Sequence, residues 1–247
     1  MTTGASPTEG LVHTIAGLLE GVRHVAVGAS SPIPGAGALL ARAQAEARGG
    51  PPVRVTILGS RREQAFTNGG VELFDLAAQG RIDAFFLGGG QIDGEANINL
   101  VGTGPYPRSE VRWPGSFGSA YLYHLVPRVI LFREEHSRRV LVPRVDFVSA
   151  AGPCDDGVHR PGGPRSLLTS LCLFDFDRAR RRFVLRSVHA GHTRQEVIER
   201  TGFEFDAAPE VPTTAAPDGA ALALLRGRVR DEIGRTYPKF AATLAAA

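Results

Sequence analysis

Apolar and polar positions alternate along this chain in blocks that predict strands and helices in turn. Leu11, Ile15, Leu18 and Leu19 recur at helical spacing between Gly10 and Gly21, and His24–Val27 follows as a short buried strand. The loop GASSPIPGAG, residues 28–37, leads into an Ala-rich helix, Ala38–Arg48. Gly49–Pro52 breaks that helix, and the run Val53–Leu58 predicts the next strand. Polar, irregular residues fill 59–70, then Val71–Ala78 predicts a short helix ended by Gly80, and Ile82–Leu87 a third strand. Further strands are predicted at Val126–Phe132 and Val140–Val148, and an antiparallel pair at Leu171–Phe174 and Phe183–Val188. Helices are predicted at Thr193–Arg200, where Glu196 stands three residues after Thr193 as in a capping box, and at Gly219–Ile233. Strand–helix–strand alternation at this spacing argues for an open, mainly parallel α/β sheet flanked by helices. In such sheets ligands bind beyond the carboxyl ends of the strands.

Two loops answer that description. The first, 28–37, lies between a strand and a helix and suits either a phosphate at the helix N-terminus or tight helix–strand packing. It lacks the Lys-Ser/Thr of a P-loop and the G-x-G-x-x-G fingerprint. The second runs from Asp83 to Ala120. Its apolar run Ala84–Leu87 empties into Gly88, Gly89, Gly90 and Gln91, and it closes at a second glycine cluster, Gly115 to Gly118. Glycines after a buried strand bring backbone N–H groups close to a ligand, because no Cβ intervenes. No interdomain linker interrupts the chain. Residues 1–247 are therefore expected to form one domain with a loosely packed Ala/Pro-rich tail after about 207.

Composition narrows the function classes. The chain is 43% hydrophobic and 21% charged, ordinary for a globular protein, and its net charge is +3. Its arginines are scattered apart from Arg178–Arg182, which read as a solvated hairpin turn, and no nucleic-acid motif appears. No stretch reaches membrane-spanning length, and the start MTTGASPTEG lacks a signal peptide's basic and apolar regions. Cys154 and Cys172 read as free thiols in a reducing cytoplasm, and neither they nor the histidines have metal-ligand spacing.

Five collinear segments carry a resemblance. LGGGQIDGEANINL at 87–100 resembles the Gly-Gly-Ala-Gln-Ile-Asp segment of family I CoA-transferase β subunits, glutaconate CoA-transferase above all. VGASSPIPGAGALLARA at 27–43, VRWPGSFGSA at 111–120, REEHSRRVLVPRVDFVSAAG at 133–152 and HAGHTRQEVIERTGFEFD at 189–206 are similar to family segments in the same order. The resemblance implies the fold shared by these transferases with the NagB and RpiA types. It also implies an α subunit of similar fold, in a heterodimer or heterotetramer, and an active site at the subunit interface. Coenzyme A would be a substrate rather than a tightly bound cofactor. Gly88, Gly89, Gly90, Gln91, Gly115, Ser116 and Gly118 would line the thioester region, with backbone N–H groups and the Gln91 amide as donors.

In the transferases a β-subunit glutamate attacks the thioester and releases CoA thiolate from an acyl-glutamyl anhydride. The thiolate returns to form a glutamyl-CoA thioester, which hands CoA to a second carboxylate. Here Leu58 occupies the glutamate's place, Phe117 that of a glycine and Ser119 that of an alanine. Glu63 lies five residues on from Leu58, as a displaced nucleophile or as a loop charge beside Arg61 and Arg62. Three functions stay open: CoA transfer between carboxylic acids, a hydrolase or lyase half whose catalytic carboxylate is in the α subunit, and a non-catalytic scaffold. Hydrolases that open cyclic oxo-acyl-CoA rings contain related subunits without this glutamate.

Overall fold

The computed structural model describes residues 4–64, 66, 70–155 and 157–244. They form two units, Met1–Phe86 with Ala215–Ala247, and Leu87–Thr214. The first unit opens on α1 (Pro7–Leu18). Ser6 Oγ accepts from the Glu9 N–H while the Glu9 carboxylate accepts from the Ser6 N–H, a reciprocal cap that fixes where the helix starts. After β1 (His24–Val27), buried at every position, α2 spans Pro32–Ala47. The sequence predicts this helix from Ala38. It begins earlier because Pro32 and Pro34 occupy its first turn, where proline's fixed φ suits the helix and its missing N–H has no intrahelical partner to lose. A Cβ at Gly37 would lie 2.2 Å from Ile15 Cγ2, so the close packing of α2 on α1 requires glycine.

β2 (Arg54–Ile57) and β3 (Ala84–Leu87) both pair in parallel with β1, with α3 (Val71–Ala78) between them in sequence. Only part of the polar stretch 59–70 falls within the described residues.

The second unit carries short antiparallel pairs, β4 (Gln91–Ile92) with β5 (Ile98–Asn99) and β6 (Gly102–Thr103) with β7 (Val111–Arg112), followed by α4 (Ser119–Leu125). Its main strands are β8 (Arg128–Phe132), β9 (Pro164–Leu168), β10 (Cys172–Asp177), β11 (Arg182–Val188) and β12 (Asp206–Ala207), side by side in that order, with α5 (Arg194–Arg200) before the last. β8–β9 and β11–β12 are parallel, and β10 is antiparallel to both neighbours. Phe174, Phe183, Phe203 and Phe205 interlock on this sheet, ring centroids 5.0–6.4 Å apart. The expected α/β class, mainly parallel, is thus the one the chain adopts.

Four expectations are corrected. Val140–Val148 is not a strand. It is an irregular segment, broken at Pro143, whose Leu141 bridges to Ile92, and Ala150 just beyond it bridges to Ile98. β9 has no counterpart among the expected strands. Thr193 caps α5 by accepting from the Glu196 N–H, but the Glu196 carboxylate turns to the His192 ring, so the box is one-sided. The tail expected to be loose packs as helices within the first unit. It forms α6 (Gly219–Leu224), a π-helical turn (Leu225–Val229), α7 (Arg230–Gly234) and α8 (Pro238–Ala241). Leu225, Val229 and Ile233 are fully buried, and Arg226 meets the buried Glu9 carboxylate at 2.7 Å. Residues 245–247, at the end of the loose terminus expected beyond the predicted helix Gly219–Ile233, lie outside the described residues.

Candidate functional site

The turn after β3 leaves no room for side chains. A Cβ at Gly88 would stand 3.1 Å from Phe132 O, one at Gly89 2.6 Å from Gln91 O, and one at Gly90 2.3 Å from the Trp113 ring. The close approach that glycine permits here is made by the protein's own atoms. Two of the donors expected to face a ligand are also engaged. The Gly90 N–H donates to Asn99 O at 2.9 Å. Gln91, buried, donates from Nε2 to Asp146 Oδ2 at 3.2 Å, and its Oε1 accepts from Asn99 Nδ2 at 2.8 Å and from the Asp146 N–H at 3.0 Å. Asn99 is itself fully buried and also donates to Gly102 O, while its Oδ1 accepts from the Val101 and Gly102 N–H groups.

Downstream of this turn, the Asp93 carboxylate accepts from the Glu95 and Asn97 N–H groups and from the Asn97 amide. The result is a rigid platform built largely of amides. Tyr123 closes its underside. It is fully buried, donates to Ala96 O at 2.9 Å, and burial raises its pKa well above the ordinary phenol value.

Trp113, seated over Gly90, leads into the second glycine cluster. Gly115 has φ +108° with open space where a Cβ would stand, and the Ser119 N–H donates to Ser116 O. Gly118 is the N-cap of α4. Between them Phe117 is 77% exposed and held at φ +39°, a left-handed conformation that disfavours every residue with a Cβ.

In the first unit the loop after β1 offers few donors to an anion. Pro32 and Pro34 have no N–H, and the Gly35 N–H donates to Ser31 O. Its glycines serve packing instead, Gly37 against Ile15 and Gly35 against Ile233. Leu58 follows β2 directly, its N–H donating to Val27 O at 2.9 Å. Glu63 is only 11% exposed. Arg42 donates from Nη1 and Nη2 to its two oxygens at 2.8 and 3.2 Å, and Arg42 Nη2 also donates to Glu232 at 2.9 Å. Glu63 is neither a solvated loop charge nor an unoccupied carboxylate. Burial alone would lower the Arg42 pKa, but its two carboxylate partners raise it above the ordinary guanidinium value.

One cleft has almost no signal in the sequence. It measures about 710 Å³ in the second unit, between Asp93 and Asn97 on one side and Arg180, Arg182 and Phe203 on the other. Of the arginines that line it, Arg180 is engaged by Asp177 and Asp206, and Arg182 by Asp206. The Arg-rich turn 178–182 is the one hint of it along the chain. Among the described residues no group of side chains has the makings of a metal site, and no helix is long and apolar enough to cross a membrane.

Known proteins share both the sequence and the fold. The family model described as Coenzyme A transferase matches residues 13–200. The chain is 36% identical to the B-type subunit of 3-oxoadipate CoA-transferase from Pseudomonas knackmussii over 153 residues, 60% of this chain and 58% of that protein. It is 29% identical to the B-type subunit of glutaconate CoA-transferase from Acidaminococcus fermentans over 151 residues, 58% of this chain and 56% of that protein. The chain thus matches less than two thirds of the length of either relative. The crystal structure of the decarboxylase AibA/AibB superposes with a TM-score of 0.77 at 25% identity, covering 98% of this chain and 100% of that one.

Proposed function

The chain belongs to the coenzyme A transferase family, and from that premise we propose that it is the β-type subunit of a heteromeric enzyme acting on acyl-CoA thioesters. The family match across residues 13–200 carries this reading. Coenzyme A and a carboxylic acid are the substrates, an α subunit of similar fold is the partner, and the cytoplasm is the compartment. Gly88, Gly89, Gly90 and Gln91, with Gly115, Ser116 and Gly118, are this chain's contribution to the thioester region. Because the Gly90 and Gln91 donors are engaged internally, they act as a stiff wall and not as ligand donors.

Leu58 offers no nucleophile, and Glu63 reaches a thioester only by leaving both N–H groups of Arg42. These two observations favour a second reading. This chain then shapes the site of a hydrolase or lyase half, and the catalytic carboxylate belongs to the α subunit. In hydrolysis, water replaces the second carboxylate, so each thioester plus one water gives one carboxylic acid and one CoA thiol.

The complex, incubated with an acyl-CoA with and without a carboxylate acceptor, separates the readings. Transfer yields a new thioester only when acceptor is present and accumulates no thiol. Hydrolysis releases one thiol per thioester without acceptor. Borohydride trapping of a glutamyl-CoA ester at Glu63 would make this chain the nucleophile. A complex that does neither reaction leaves the scaffold role and sinks the enzymatic proposal.

A further inference from the structure

The loop after β2 is organised by Ser60, which is 4% exposed. Its Oγ accepts from the Glu63 N–H at 3.1 Å and the Arg62 N–H at 3.4 Å, while the Ile57 N–H donates to Glu63 O at 3.0 Å. The same Ser60 oxygen accepts from the Thr236 hydroxyl at 2.8 Å. A second tie runs through charge. Arg42 bridges Glu63 to Glu232, and Arg228 carries the chain on from Glu232 at 3.0 Å to Glu46 at 2.6 Å. A third tie reaches the loop after β1, where the Ser31 N–H donates to the Tyr237 hydroxyl at 3.4 Å. Glu232 lies on α7, with Thr236 and Tyr237 just past its end. All three stand beyond the family-matched residues 13–200.

We infer that Thr236, acting through Ser60, and Glu232, acting through Arg42, are positioning residues by which the carboxyl-terminal helix sets the loop after β2. Neither touches the reacting atoms. A loop of this size has too few contacts of its own to hold one conformation, and a misplacement of about 1 Å near reacting groups costs on the order of a hundredfold in rate. The family core supplies the loop, and residues outside that core fix its conformation. The inference rests on the reading that this loop belongs to the active site.

The full chain and its complex test this with Thr236→Val, which removes the hydroxyl at nearly constant volume, and Thr236→Ser, which keeps it. Amide hydrogen exchange at Arg62 and Glu63 in the full chain is expected to speed up about tenfold in Thr236→Val and to stay at the wild-type rate in Thr236→Ser. In the complex, kcat on an acyl-CoA falls about tenfold in Thr236→Val with KM unchanged, and Thr236→Ser restores it. Unchanged exchange in Thr236→Val, faster exchange with unchanged kcat, or equal impairment in Thr236→Ser each overturns the inference. A wild-type complex with no thioester turnover would overturn the functional reading instead, and the exchange measurement would still decide whether Thr236 holds the loop.

Discussion

The loop after β2 and the turn after β3 both leave buried strands, yet a different balance of chemistry holds them. The β2 loop, besides its Ser60 and Thr236 hydroxyls, is fastened by formal charges, with Glu63 on Arg42, Arg42 on Glu232 and Glu232 on Arg228. The β3 turn is fastened mainly by neutral amides, Gln91 on Asn99 and Asn99 on the backbone at 101 and 102, with the Asp146 carboxylate accepting from Gln91. Neutral networks are insensitive to salt but intolerant of losing one member. Ion pairs share their load and respond to pH and ionic strength.

Substitution at Asn99 should have the largest effect. Asn99→Leu removes bonds to Gln91, Gly102 and Val101 at a fully buried position and leaves their partners unsatisfied, a loss of about 4 kcal/mol in urea unfolding. A loss under about 1 kcal/mol would show that the turn is held by packing alone.

Acid should act on His136 and on Glu232 in different pH windows. His136, buried between Thr169 and Thr201, has its pKa lowered to about 4, chiefly by burial and then by Arg200. Its folded pKa lies below the unfolded value, so the unfolded chain binds the extra proton. Stability therefore falls as pH drops from about 6.5 toward 4, by up to roughly 3 kcal/mol. Glu232 behaves otherwise. Burial alone would raise its pKa, but Arg228 and Arg42 more than offset this and hold it below the ordinary 4.5. Its contribution is full above that value and is lost only as pH falls below it. His136→Gln should shrink the stability loss in the first window of a pH-dependent unfolding curve, to which His13, His24 and His189, their pKa values also lowered by burial, contribute as well, and leave the second in place.

Gly90→Ala is expected to cost about 2 kcal/mol, because its Cβ would stand 2.3 Å from the Trp113 ring and the indole must move. Trp113 fluorescence should shift with it, and an unshifted spectrum would contradict the contact.

The smallest effect separates the two regions most directly. Raising salt from about 0.05 to 0.5 M should speed amide exchange at Glu63 by a few fold and leave the Gly90 N–H unaffected. Equal responses would remove the distinction between charged and neutral fastening.

What is legible along the chain is local. The run Ala84–Leu87 before three glycines announces a buried strand and its turn, and both form. Alternation also locates β10 and β11. β9 escapes because Pro164, Arg165 and Ser166 dilute its apolar signal while its pairing with β8 decides the matter. The glycines signal clearance for a ligand, whereas Trp113, well downstream in sequence, fills that space at Gly90. The role of Glu63 is hidden for the same reason, since its partner's second ligand is Glu232, 190 residues from Arg42. That Leu58 offers no nucleophile can be read at once, because a side chain's chemistry needs no partner to be known.

The discontinuity of the first unit has a consequence for biosynthesis. Leu87–Thr214 is complete in one stretch, whereas Met1–Phe86 must wait for Leu225, Val229 and Ile233. On the ribosome the later-synthesised unit should therefore close first, reversing the usual amino-to-carboxyl order. Protease challenge of stalled nascent chains released at about residue 215 would show it, with 87–214 resistant and 1–86 cleaved. The residues after 214 are then the ones that complete the first unit.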